Sequence, residues 1–176
     1  MAFVTGRGLA AAVVLTAFIL AAPPVLSAQE TVEAAFDSRT WKLGSQDYNQ
    51  EKKATMKMFV PEDETIESWQ ELITLQFFEG LQQRLTIDQF LQKMQGGLKA
   101  ACPSLKWNTV SQEQDDAVYM WNIKGCQSQP DQTEITRVVA GREGMHIWHY
   151  AAKDPDLALE KQREWIDRLN QFRLKN

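Results

Sequence analysis

Two stretches with alternating apolar and polar positions flank an acidic segment near the middle of the chain. Met56, Met58 and Val60 share one side of the run Ala54 to Val60, and Ile73, Leu75 and Phe77 share one side of the run Glu71 to Phe78. A period of two is the signature of a half-buried strand. Pro61 withholds a backbone donor and ends the first run. The connection from Pro61 to Trp69 predicts a short helical turn with Thr65 as N-cap and Glu67 and Ser68 in its first turn, anchored by burial of the Trp69 ring.

Five further runs predict strands: Trp41 to Gly44, Lys106 to Gln112, Ala117 to Lys124, Glu134 to Ala140 and Met145 to Ala151. Ser45 to Lys53 reads as a turn, Asp115-Asp116 turns one pair of strands, and Gly141-Arg142-Glu143-Gly144 makes the last pair a hairpin. Tyr119, Trp121 and Ile123 face one way on their strand, while Met145 and Ile147 oppose His146, Trp148 and Tyr150 on theirs. Apolar residues on both faces predict a sheet covered on at least part of its second side.

The period lengthens to that of a helix in two places. Thr86 with Gln89 has capping-box spacing, and Ile87, Leu91, Met94, Leu98 and Ala101 form one apolar stripe closed by Pro103. Gly96-Gly97 costs this helix about 1 kcal/mol per glycine against alanine, which predicts a kink or a close approach to the sheet. Asp154-Pro155-Asp156 predicts the start of the second helix, whose stripe is Ala158, Gln162, Trp165, Leu169 and Phe172, with Arg168, Arg173 and Lys175 at its C-terminal end. The pattern as a whole is an α+β class: a largely antiparallel sheet of six to seven strands packed with two long helices, like an α/β/α sandwich.

The N-terminus carries a different signal. Arg7, an apolar run from Leu9 to Ala22 and a small-residue exit at Ser27-Ala28 predict a secretory signal peptide over residues 1–28. The run is too short for the roughly 20 residues of a membrane span. Removing 28 of 176 residues leaves 148, enough for one domain with a real core. Residues 29–40 have no clear period and read as a flexible leader with at most a helical turn around Val32 to Phe36, which leaves 41–176 as the domain.

Charge and residue chemistry exclude more than they assign. All 23 acidic residues but 18 of the 19 basic ones lie beyond residue 28, a formal charge of −5, so nucleic acid and an electrostatic hold on anionic lipid are disfavoured. Cys102 and Cys126 are the only cysteines, and in an exported chain they read as a disulfide, the alternative being two separately buried thiols. They form no Cys-x-x-Cys redox motif. His146 and His149, three apart on a strand, point to opposite faces and cannot share a metal, which predicts one packed beside Trp148 and Tyr150 and one in solvent. No cofactor or metal site follows from these residues, and no Gly-x-Ser-x-Gly elbow is present. The acids Glu62, Asp63, Glu64 and Glu67 lie on a connection held by the core, where they either keep the loop soluble or form a partner-facing edge.

The run Phe59-Val60-Pro61-Glu62-Asp63-Glu64-Thr65-Ile66-Glu67-Ser68-Trp69, followed by Glu71-Leu72-Ile73-Thr74, resembles a motif of small exported proteobacterial proteins with a PsbP-like or DcrB-like α/β/α sandwich, although Asp63 stands where that motif has glycine. The resemblance implies a binding or assembly module and brings no catalytic residues. The function expected from the sequence is therefore non-catalytic binding in the periplasm, or secreted beyond it, of a protein partner or a small apolar ligand. The alternative is a cell-envelope hydrolase.

Overall fold

A computed structural model of the chain describes residues 30–34, 36–127 and 129–175. The expected signal peptide lies outside the described residues. Seven antiparallel strands form one sheet: β2 (Trp41–Asn49), β3 (Ala54–Pro61), β4 (Glu71–Glu79), β5 (Lys106–Gln112), β6 (Asp116–Ile123), β7 (Gln132–Ala140) and β8 (Gly144–Ala152), in the order β2-β3-β4-β8-β7-β6-β5. A second sheet pairs β1 (Thr31–Glu33) with β9 (Arg173–Lys175). With α1 (Ile87–Ala101) and α2 (Leu159–Gln171), the fold is α+β, as the periodicity predicts. No helix among the described residues is long and apolar enough to cross a membrane.

The central position of β8, between β4 and β7, explains why its apolar residues do not alternate with polar ones. Every residue of β8 is buried. Met145 and Ile147 pack with Tyr119, Trp121 and Ile123 under Ile87, Phe90 and Leu91 of α1. Trp148 and Tyr150 point the other way and pack with Trp165, Leu169 and Phe172 on the α2 side. Each helix therefore covers one face, and both faces supply core.

α1 starts where its capping box predicts: Thr86 Oγ1 accepts from the Gln89 backbone at 3.2 Å, and Gln89 Oε1 accepts from the Thr86 backbone at 3.1 Å. The glycine pair does not interrupt it and makes no close approach to the sheet. α1 is continuous, Gly96 and Gly97 are exposed, and a Cβ added at either would find no atom within 4 Å. The fully buried residues of α1 are all in its first half, and its C-cap Cys102 forms the disulfide to Cys126.

α2 begins at Leu159, later than Asp154-Pro155-Asp156 predicts, because those residues are committed elsewhere. Asp154 Oδ1 accepts from the Asp156 backbone at 3.0 Å, the Asp154 carbonyl accepts from Thr133 Oγ1 at 2.7 Å, and Asp156 pairs with Lys124 at 3.0 Å. The far end of α2 is fixed by Arg137, which pairs with Asp116 and donates to the carbonyls of Leu169 at 2.9 Å and Phe172 at 3.1 Å. Arg173 and Lys175 belong to β9 instead of the helix.

Of the stretch 29–40, expected as a flexible leader with at most a helical turn around Val32 to Phe36, the described residues 30–34 and 36–40 instead form β1 and a set of anchors. Val32, Ala34 and Phe36 pack on the α2-side core. Arg39 makes two bonds to Glu71, at 3.0 and 2.6 Å, and the Trp41 indole donates to Asp37 at 2.8 Å. β2 also runs on to Asn49 by way of a bulge between Leu43 and Ser45, so the turn shrinks to residues 50–53, closed by the Lys53 N–H on the Gln50 carbonyl.

Candidate functional site

α1 covers only part of its face of the sheet. Across that face Met58, Thr74, His149, Thr136 and Tyr119 stand in one cross-strand row, and Leu72, Ala151, Glu134 and Trp121 in the next. The helix lies over the Tyr119 and Trp121 ends of these rows, and the Met58 and Leu72 ends are left beside it. The result is an open groove of about 530 Å³. Met94 and Leu98, the half-buried residues of an otherwise exposed second half of α1, line the groove together with Met58 and Trp69. Thr74, Gln76, Gln132, Glu134 and His149 supply its polar surface.

The polar groups are ordered by one carboxylate oxygen. Glu134 Oε1 accepts from Trp121 Nε1 at 3.1 Å and from Thr136 Oγ1 at 2.9 Å, and His149 Nδ1 lies 2.8 Å from it. A carboxylate at Nδ1 fixes that nitrogen as the N–H donor and sets the ring plane. The other ring nitrogen, Nε2, lies 3.4 Å from Gln76 Oε1. Tyr119 stands directly opposite Thr136 in the row, and burial, together with the Glu134 charge, pushes its phenol well above the ordinary tyrosine value. The groove thus presents Thr74, Glu134 and a histidine oriented by that carboxylate, with Tyr119 and Thr136 fully buried and no hydroxyl or thiol bonded to His149 Nε2 among the described residues.

Lys153 lies at the end of the groove. Its backbone N–H donates to the Gln70 carbonyl at 2.9 Å, and its ammonium sits 4.5 Å from the centre of the Trp69 ring. It has no carboxylate partner among the described residues. Trp69 is half-buried, not sealed in the core as its sequence context predicts, because one side of the ring takes the lysine and the ring lines the groove.

The histidines do face opposite ways, but neither is in solvent. His149 is 8% exposed, and His146, on the α2 side, is 3% exposed with Nε2 at 2.9 Å from Glu30 Oε2. Glu30 also accepts from the backbone of Arg142 at 3.1 Å. Burial raises the Glu30 pKa, but the bonds from His146, Arg142 and Glu143 outweigh it and hold it below the ordinary glutamate value. Both carboxylates came from parts of the sequence with no local pattern linking them to histidine. Glu134 is legible only once β7 is laid beside β8.

Of the acidic connection, Glu62, Asp63 and Glu67 are exposed and none lines the groove. Glu64 is different: its Oε2 accepts from the backbones of Gln70 at 2.6 Å and Glu71 at 3.3 Å and so closes the turn into β4. In place of a capped helical turn, Glu64 N–H donates to the Pro61 carbonyl at 3.0 Å and Ser68 N–H to the Thr65 carbonyl at 3.1 Å, two successive tight turns. A larger cleft of about 750 Å³ lies at the other end of β4, among Glu51, Lys52, Lys53, Glu79 and Arg84, but its Lys53 and Glu79 neutralise each other at 3.2 Å and no buried group points to a ligand there.

No protein-family model, characterised protein or solved structure matches the chain.

Proposed function

We propose that the protein is an exported, non-catalytic binding module of the cell envelope that holds a small, largely apolar ligand in the groove beside α1. The observation that carries this reading is the uncovered end of the α1 face, where Met58, Trp69, Met94 and Leu98 stay half-buried around a polar floor. Ligand sites commonly combine such apolar walls with a few placed polar groups, and methionine walls adapt to the shape of what they hold. Export is supported by the N-terminal pattern and by the Cys102–Cys126 bond, which is consistent with an oxidising compartment. The likeness of the β3–β4 connection to exported proteins with PsbP-like or DcrB-like sandwiches supports the same class.

Cell fractionation tests the first half: the expected product is a periplasmic protein whose mass corresponds to cleavage after Ala28, and a cytoplasmic full-length chain would refute it. Displacement of a fluorescent apolar probe tests the second half, with loss of probe binding expected in Met94→Glu.

One observation favours a hydrolase as the second reading, namely His149 oriented by Glu134 on the floor of a groove. A histidine held this way can act as a general base. Ester turnover that disappears in His149→Gln would establish it and displace the binding reading.

A further inference from the structure

Resting on the groove as a ligand site, we propose that its ligand is a small amphipathic anion, an acyl chain ending in a carboxylate, and that Gly96-Gly97 lets the α1 wall adjust to it. Among the described residues Glu134 is the only acidic one lining the groove, and the oxygen that faces His149 also serves Trp121 and Thr136. Among the described residues Lys153 is the only Lys or Arg lining it, and its ammonium has no carboxylate partner there. The Trp69 ring and the backbone bond to Gln70 hold that ammonium near one end of the groove. A carboxylate there gains a charged partner, while an ammonium meets repulsion. Met58, Leu72, Met94, Leu98 and Ala151 then offer the chain an apolar bed. The selectivity is local, because a chain of net charge −4 does not draw anions from a distance.

Met94 and Leu98 flank the glycine pair, and nothing near either glycine requires a missing side chain. Ile87, Phe90 and Leu91 dock the first half of α1, and the disulfide at Cys102 tethers its end. Between those two fixed points sits a segment of low helical propensity, and the residues it carries are the ones that touch the groove.

Calorimetric titration of the mature protein with decanoate and decyltrimethylammonium below their micelle concentrations, and with decanol below its solubility limit, tests this. Decanoate is expected to bind about five- to tenfold more tightly than decanol, and the cation least well. Lys153→Gln should erase the preference for decanoate over decanol without changing Tm, and Gly96→Ala with Gly97→Ala should raise Tm while weakening decanoate several-fold. Equal binding of decanoate and decanol to the parent protein would overturn the anion assignment while leaving the apolar groove standing. Failure of all three amphiphiles to bind would overturn both. Unchanged decanoate affinity in the stabilised double-alanine protein would overturn the role of the glycines.

Discussion

Glu62 and Glu64 lie two residues apart on one connection and do different work. Glu64 bonds two backbone N–H groups that would otherwise face the end of the turn unpaired, whereas Glu62 carries only an exposed carboxylate. Glu64→Ala is therefore expected to lower unfolding free energy by about 1–2 kcal/mol in urea titration, with Glu62→Ala and Asp63→Ala within about 0.5 kcal/mol of the parent. Equal effects at the three positions would contradict the turn assignment. Trp69→Ala should cost about 2 kcal/mol, less than the 3–5 kcal/mol of a sealed tryptophan, because the ring is half-buried against Lys153 and the groove. At this scale the sequence showed which residues were special but not their partners. The spacing of the histidines gave their opposite faces, since that follows from a period of two. Their burial depended on Glu30 and Glu134, 116 and 15 residues away in sequence, and no local pattern carries such a pairing.

Among the elements, those with a strong local signal were legible and those made by tertiary contact were not. The Thr86 and Gln89 capping box placed the start of α1 to the residue. The three-residue strands β1 and β9 have no period to read, because they exist by pairing with each other and by seating Val32 and Leu174 on the α2-side core. The start of α2 moved for a similar reason, since Lys124 and Thr133 claimed the residues that would have capped it. The glycine pair in α1 was legible as a cost and misleading as a packing device. With open space at both Cβ positions, Gly96→Ala and Gly97→Ala should each stabilise the protein by about 1 kcal/mol. A lowered Tm for either would mean that α1 needs the glycines for its shape.

For the whole molecule, the N-terminal segment is clamped to the sheet by carboxylates. Burial raises Glu71, but Arg39 and Tyr150 bonded to it, with the Arg39 and Lys161 charges, hold it low, and Asp37 is likewise raised by burial but held low by its bonds from Arg39 and Trp41. With Glu30, three carboxylates thus bind protons less readily in the folded chain than in the unfolded one. Their stabilisation is fully present above the ordinary carboxylate range and is lost as pH falls from about 4 through their lower folded values. Acid titration followed by circular dichroism should show unfolding in that range, and Glu30→Gln with Glu71→Gln should flatten the dependence while lowering stability at neutral pH. The disulfide adds a constraint that closes 24 residues, and its reduction should cost about 3 kcal/mol.

On the proposed reading the α1 side of the sheet is the binding side, and five of the six tryptophans report on it directly. Trp69 and Trp121 line the groove, whereas Trp41, Trp148 and Trp165 lie in the α2-side core. Proton–nitrogen correlation NMR of the indole groups during titration with decanoate reads both faces in one experiment. The account predicts saturable shifts of the Trp69 and Trp121 signals while those of Trp41, Trp148 and Trp165 stay in place. Shifts confined to the α2-side indoles, or none at saturating ligand, would contradict it.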